Sequence, residues 1–351
     1  MKDWSKAEWV DPNLSWKPRK VSPLPSRLIM DHATKCNLRC PMCQVWGKAE
    51  NDVQEAVKGV MDIDGARKIL DEVSRAKPLV HSALYGEPLL MPDLKKRITD
   101  VKSRGMPMAL NTNGLALTKD IANFLIEMKI EAIFFSIDSV TKETLKKIRG
   151  IDNLEKIERA VYRMLELRGE KTLPRIGVSF VVQDDNEHEL DQFIEKWAHV
   201  VDCIRVSSLY ESGTFRGLNP AEKRIPCPVI YETLVVHNTG DVSICCNDAY
   251  RFAIVGNALE TSVDEVWQGE EFAKIRYYHE TGQWDKVPFC TNCNAWQQFE
   301  YEEEIIDGLL IRRSPIMTYY NNIKRLDNWR NELSSGHRGK NAHLADSPPE
   351  G

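Results

Sequence analysis

No stretch of the 351-residue sequence stays apolar for anything near the ~20 residues that a membrane-spanning helix needs. The opening Met1-Lys2-Asp3-Trp4 also lacks the pattern of a secretory signal. No membrane partner is expected, and the expected compartment is cytoplasmic. Basic charge is not in excess either: 47 Lys and Arg against 52 Asp and Glu leave a net charge of −5, which removes the electrostatic case for nucleic acid as a main partner. An even, regularly spaced cysteine framework is missing as well. The nine cysteines are an odd number with three packed into one loop, which fits metal ligation in a reducing compartment better than disulfides. Residues 334–351 have almost no apolar content, so a disordered tail is expected there.

From about Arg27 to Tyr210 the chain alternates short β-branched runs with amphipathic segments, the pattern of a parallel sheet with helical crossovers. Strands are predicted at 27–32, 79–84, 107–111, 131–137, 175–182 and 203–209. Helices are predicted at 64–76, 91–104, 118–128, 141–148, 153–168 and 186–199. Six such units predict an α/β fold of the partial (β/α)6 TIM-barrel kind, with chemistry at the C-terminal ends of the strands. Ahead of it, residues 1–26 carry Trp4, Trp9 and Trp16 among prolines and charges and are expected to form an irregular strap. The expected division is a barrel at 27–215, a second domain at 216–300, a helical extension at 301–333, and the tail.

Most of the chemistry rests on one run. Cys36-Asn37-Leu38-Arg39-Cys40-Pro41-Met42-Cys43 sets three thiols at CxxxCxxC spacing just past the first strand. Three thiolates on one loop can hold three corners of an iron-sulfur cube while the fourth iron stays open to chelate a ligand. A structural zinc knot, more often built from paired CxxC units, and three unpaired structural cysteines are the alternatives. Further motifs follow at later strand ends: Tyr85-Gly86-Glu87-Pro88, then Asn111-Thr112-Asn113-Gly114, then Ser136-Ile137-Asp138. Each alone reads as an ordinary turn.

In this order behind CxxxCxxC, the motifs resemble the radical S-adenosylmethionine (radical SAM) superfamily. The resemblance implies that Cys36, Cys40 and Cys43 ligate a 4Fe-4S cluster whose open iron binds the amino and carboxylate groups of SAM. It implies that Gly86, Glu87 and Pro88 meet the SAM amino group, that Asn111 ends the third strand beside the cofactor, and that Ser136 and Asp138 lie near the ribose. Met42 takes the place of an aromatic that commonly covers the adenine, and Tyr85 that of the turn's first glycine. Arg149 sits where related enzymes often present an arginine to the active site; a surface arginine at a helix end, favoured by the dipole, is the equal alternative.

Five more cysteines follow the barrel. Cys227 is followed by twelve residues, Gly240, four residues and Cys245-Cys246; Cys290-x-x-Cys293 comes later, and no cysteine follows it. A hairpin is predicted over 234–245 around Asn238-Thr239-Gly240-Asp241, and one helix over 262–281. A zinc ribbon would use the same residue types. The arrangement resembles the C-terminal SPASM/Twitch extension of radical SAM enzymes, of the shorter Twitch type (β-hairpin plus helix). That implies one auxiliary 4Fe-4S cluster held by Cys227, Cys245, Cys290 and Cys293, with the choice between Cys245 and Cys246 open. Cys203 reads as core, and Cys246 as a thiol near the expected substrate pocket.

For chemistry, the resemblance implies that reductive cleavage of SAM yields a 5′-deoxyadenosyl radical, which takes a hydrogen atom from an unactivated carbon in a dry barrel. An auxiliary cluster with no open iron can accept an electron from the substrate. The chain is similar to the Twitch dehydrogenases that oxidise 2-deoxy-scyllo-inosamine, so the expected reaction is oxidation of a secondary alcohol on a sugar or aminocyclitol. Such a reaction needs a base and polar anchors, for which Arg205, Tyr210, Glu211, Asn247 and Asp248 are candidates. An external reductant such as flavodoxin or ferredoxin is the expected protein partner. The competing readings are a peptide maturase or epimerase, with Cys246 as hydrogen-atom donor, and a non-catalytic iron-sulfur protein.

Overall fold

Residues 21–47, 55, 57–211, 213–216 and 224–325 are described by the structure, a computed structural model. The expected tail and most of the expected strap fall outside the described residues. Six strands run parallel in chain order: β1 (Arg27–Met30), β2 (Leu79–His81), β3 (Met108–Thr112), β4 (Ala132–Ser136), β5 (Arg175–Val182) and β6 (Cys203–Ser208). Helices α1 (Ile63–Val73), α2 (Leu94–Ser103), α3 (Lys119–Glu127), α4 (Lys142–Arg149), α5 (Leu154–Arg168) and α6 (Leu190–Trp197) connect them. The result is a mostly parallel α/β sheet. Among the described residues no helix is long and apolar enough to cross a membrane.

The two-residue period of a strand divides its side chains between two faces. Leu28, Met30, Val80, Leu110, Ile133, Phe135, Val178, Phe180 and Ile204 point to the face that packs on the helices and join the main core. Leu79, Ala109, Ala132, Phe134 and Cys203 make a small separate cluster on the other face. That second face also carries polar groups, so it is where a ligand can be met. Helix starts follow from local chemistry: Asp62 accepts from the amides of Asp64 and Gly65, Thr118 from Ile121, and Thr141 from Thr144. Gly150, at φ 73°, ends α4 in the left-handed region.

The sheet does not stop at the sixth strand. β7 (Thr233–Val236) pairs parallel with β1, and β8 (Asp241–Ser243) and β9 (Ile254–Asn257) continue from it antiparallel. At the opposite edge β12 (Met317–Asn322) pairs antiparallel with β6 and leads to β11 (Leu309–Arg313) and β10 (Glu302–Ile306). The twelve strands therefore lie in the order β9-β8-β7-β1-β2-β3-β4-β5-β6-β12-β11-β10.

Three expectations are corrected. The helical extension at 301–333 is instead, over its described part, the strands β10 to β12. Asp307-Gly308 turns the first hairpin with both residues at positive φ, as Asp-Gly does in two-residue turns. The single helix over 262–281 is two, α7 (Val263–Trp267) and α8 (Glu270–Glu280), broken at Gly269, where a Cβ would lie 2.5 Å from the Glu265 carbonyl oxygen. The hairpin strand ends at Ser243, past a register shift at Val242/Ser243, so Cys245 and Cys246 stand in the following turn and strand alternation does not set their directions.

One buried ion pair ties α5 to the sheet. Arg168 Nη1 meets Asp202 Oδ2, both side chains 3% exposed, and the same oxygen accepts from the Ile176 amide at 2.7 Å. Asp202→Ala would leave a buried guanidinium without its carboxylate and should cost about 3–5 kcal/mol. Anaerobic denaturant titration checks this, and a loss below ~1 kcal/mol, the scale of a surface pair, would refute it.

Candidate active site

Beyond β1, the pair Ala33–Thr34 forms a short ribbon with Gly59–Val60 and delivers the chain to the loop of Cys36, Cys40 and Cys43. Backbone amides point at two of these sulfurs: Leu38 N donates to Cys36 Sγ at 3.4 Å and Trp46 N to Cys43 Sγ at 3.3 Å. Cys43 N donates to the Cys40 carbonyl at 2.9 Å, closing the turn. Burial pushes the Cys36 thiol up to about 11 and raises that of Cys40, against a lowering pull from Arg149. Burial thus favours the neutral thiol, while the N–H···S contacts suit thiolates. A cationic metal partner resolves that conflict by deprotonating the sulfur outright.

The turn at 85–88 is locked against this loop. A Cβ on Gly86 would lie 2.1 Å from the Ala33 carbonyl oxygen, so only glycine fits. Glu87 N donates to the Lys35 carbonyl at 2.7 Å. The buried Glu87 carboxylate accepts from Leu89 N, Thr112 Oγ1 and Asn113 N at 3.1, 2.5 and 2.7 Å, and Pro88 starts the next 3-10 turn. Asn113 Nδ2 in turn reaches Asn37 Oδ1 at 2.8 Å. Tyr85 donates its hydroxyl to the Cys246 carbonyl at 2.5 Å, and its own carbonyl accepts from Trp46 Nε1 at 3.1 Å.

Arg149 is not at the surface. It is 7% exposed and its Nη2 lies 2.5 Å from Asp138 Oδ2, within the electrostatic reach of Cys36 and Cys40. Asp138 Oδ1 accepts from Val181 N at 2.8 Å, so both carboxylate oxygens of Asp138 are engaged by the protein. Ser136 Oγ stands 3.4 Å from Ser179 Oγ. Met42 Sδ accepts from Gln183 Nε2 at 3.1 Å.

Cys227, Cys245, Cys290 and Cys293 line one cavity together with Ile230, Ile244, Phe289 and Trp296, and Cys246 is not on its wall. Asn247 N and Ala295 N donate to Cys245 Sγ and Cys293 Sγ, each at 3.4 Å. Cys293 N donates to the Cys290 carbonyl at 3.2 Å, repeating the turn of the first loop. Burial pushes Cys290 up to about 12 and raises Cys227 and Cys293; contact with Cys246 and burial raise Cys245. Among the described residues no three His, Cys, Asp or Glu side chains stand close enough to share one metal ion. The four thiols surround a space instead, and an all-sulfur donor set with amide donors behind it suits a cluster.

Between the two cysteine groups lies a cavity of about 770 Å³, with Met42 and Cys43 on its wall and Asn247, Asp248, Phe289 and Asn292 from the later domain. Tyr210 and Glu211 also line it. The Tyr210 hydroxyl is a buried polar atom with no hydrogen-bond partner among the described residues, and burial followed by the surrounding cysteines raises its pKa. Asp248 is fully buried and accepts from Phe252 N and Ala253 N at 2.9 and 2.8 Å, so it holds its own turn. Arg205 and Asn111 are absent from this wall. Arg205 Nη2 donates to Asn111 Oδ1 at 3.1 Å, and both line a second cavity. Sequence reasoning missed the roles of the Tyr85 hydroxyl, Trp46 and Gln183; the tyrosine in place of a turn glycine was the one available signal.

Comparison with known proteins agrees with this geometry. Residues 30–196 match the family model of the radical SAM superfamily, and residues 227–294 that of an iron-sulfur cluster-binding domain, SPASM. A tungsten-containing aldehyde ferredoxin oxidoreductase cofactor-modifying protein of Pyrococcus furiosus is 31% identical over 191 residues, 52% of this chain and 51% of that protein. The chain thus spans about half the length of that curated relative. The structure of BtrN in complex with AdoMet and 2-DOIA is 19% identical, with a TM-score of 0.52 over 78% of this chain and 94% of its own. That of Streptococcus suis SuiB bound to precursor peptide SuiA is 14% identical, with a TM-score of 0.56 over 73% and 67%. At such identities the two structures establish the fold. The matches place a radical SAM domain over residues 30–196 and a SPASM iron-sulfur domain over residues 227–294, and the cofactors that go with these domains are S-adenosylmethionine and 4Fe-4S clusters.

Proposed function

We propose that this chain is a radical SAM oxidoreductase that oxidises a secondary alcohol of a small polar molecule, a sugar or aminocyclitol, within a partial (β/α)6 barrel closed by a Twitch-type domain. Cys36, Cys40 and Cys43 hold the SAM-binding cluster, and Cys227, Cys245, Cys290 and Cys293 hold one auxiliary cluster. When bound, these cofactors supply a radical that removes a hydrogen atom from the substrate and an acceptor for the remaining electron, with flavodoxin or ferredoxin as the external reductant. Gly86, Glu87 and Pro88 shape the SAM amino site, Met42 covers the adenine, and Ser136 lies toward the ribose. Asp138 and Arg149 brace that wall as an ion pair, which the geometry favours over direct contact by either.

The observation that carries this reading is the cavity of about 770 Å³ between the two cysteine groups. Its size lies in the ~300–1,000 Å³ range of small-molecule sites. Tyr210, held as a neutral phenol, donates to a substrate oxygen. Glu211 has Oε2 bound by Arg216 Nη2 at 2.7 Å and offers Oε1 to take the hydroxyl proton. Asn247 is a further anchor. Cys246 lines neither the cluster cavity nor the substrate cavity, so oxidation is favoured over an epimerase that quenches its radical with that thiol.

Two experiments test this. Anaerobic reconstitution should give about eight irons per chain, and about four when Cys36, Cys40 and Cys43 are all changed to Ala. 5′-Deoxyadenosine formation should vanish with them, and its survival would refute the assignment. Tyr210→Phe should still cleave SAM while 2-deoxy-scyllo-inosamine or a related aminocyclitol is converted to ketone about tenfold less efficiently, the order of one lost polar contact. Unchanged ketone formation would remove Tyr210 from the site. Solvent deuterium in an inverted product, lost with Cys246→Ala, would replace oxidation by epimerisation.

A further inference from the structure

The sheet face turned away from the helices carries an unusual concentration of positive charge. A cavity of about 180 Å³ there is lined by Arg27, Arg175, Arg205, Arg312 and His81, with no Asp or Glu on its wall. Strand register accounts for the grouping: Ser179 of β5 stands opposite Arg205, Arg205 opposite Tyr319, and Tyr319 opposite Arg312, one cross-strand row on a single face. Two of the arginines are spoken for. Arg312 Nε donates to Glu303 Oε1 at 2.8 Å, and Arg175 donates to Asn321 Oδ1.

Arg205 and Arg27 are different. Arg205 bonds only the neutral Asn111 amide and lies over the Phe134 ring, 5.1 Å from its centroid. That ring is itself placed by Gly177, where a Cβ would lie 2.4 Å from it. Among the described residues the Arg27 side chain makes no hydrogen bond or ion pair. His81 beside them is kept neutral, its pKa lowered to about 3 by burial and then by Arg27 and Arg205, and its buried Nε2 has no partner. Like charges gathered in a partly dry cavity are costly unless an anion answers them.

We propose that this cavity binds an oxyanion, the phosphate or carboxylate group of a small-molecule ligand. Arg27 and Arg205 supply the charge-assisted bonds, for which planar guanidinium forks suit either group, and His81 donates a neutral one. The volume is below the ~300 Å³ at which sites for whole drug-sized molecules begin, so the cavity takes one acidic group of the ligand rather than a nucleotide. The site stands whether or not the chain oxidises an alcohol, because its binding is read without turnover.

Arginine-specific labelling tests it. The anaerobically reconstituted chain is treated with phenylglyoxal in phosphate-free buffer, with inorganic phosphate, acetate or potassium chloride added at matched ionic strength, and labels are mapped by mass spectrometry. An oxyanion should slow labelling of Arg27 and Arg205 about fivefold and saturably, and leave the exposed Arg75 and Arg313 unchanged. The better protector, phosphate or acetate, identifies the group. Arg27→Gln should raise the concentration needed to protect Arg205 about tenfold. Protection no better than chloride gives, or equal at Arg75, overturns the proposal in the wild-type chain; unchanged protection of Arg205 in a folded Arg27→Gln overturns the paired site.

Discussion

The turn at Tyr85-Gly86-Glu87-Pro88 is the constraint on which the site depends. Because Gly86 has no Cβ, the turn sits against the Ala33 carbonyl and fixes the approach to the first cysteine loop. Because Glu87 spends its carboxylate on Thr112 and Asn113, the end of β3 is fixed to the same turn. Tyr85 then carries the connection across to the Cys246 carbonyl, beside the second cysteine group. One four-residue segment therefore ties together two cysteine loops that lie far apart in sequence. Glu87 makes its bonds in a buried place where an unpaired carboxylate would be expensive, which is why three donors converge on it.

Electrostatics divides the interior into two regions. Around the cysteines, burial opposes ionisation and the only compensating groups are amides and a few guanidiniums, a setting that cationic metal stabilises. On the inner sheet face the excess is of the opposite sign, with arginines whose counter-charges are incomplete. The Asp138–Arg149 pair borders the first of these regions. Its full burial within reach of Cys36 and Cys40 makes it a rigid wall between helix α4 and the first loop.

The middle of the fold was legible because short apolar runs alternating with amphipathic segments specify β1 to β6 and α1 to α6 locally. Among the cysteines only the Cys36–Cys43 run and the Cys290–Cys293 pair are local, and their CxxC turns repeat one backbone hydrogen bond, whereas Cys227 and Cys245 meet that pair around one cavity only in the folded chain. The hairpin boundary at Ser243 was not legible, since a register shift in the β8–β9 pair is a property of two strands together. Nor was the far edge. Residues 302–313 carry Asp307-Gly308 between two apolar runs, a hairpin signal, but Glu302, Glu303 and Glu304 are good helix formers that are depleted in strands. The ion pairs of Glu303 with the directly opposite Arg312 and of Glu304 with the diagonal Arg313 are what make those acids suitable for a strand.

That far edge changes what the segment after the cysteines is for. β12 pairs with β6 through Met317 to Asn321, and Arg312, Tyr301 and Tyr319 form walls of the arginine cavity. Asn321 reaches both Arg175 and the Cys203 thiol, so the last strand of the sheet is bonded into the inner face of the first six. On the other edge β7 pairs with β1 along its whole length. The SPASM domain and the strands after it are thus continuations of one sheet rather than appendages to a finished barrel. The inner face, and any ligand it meets, is bounded by all three parts of the chain.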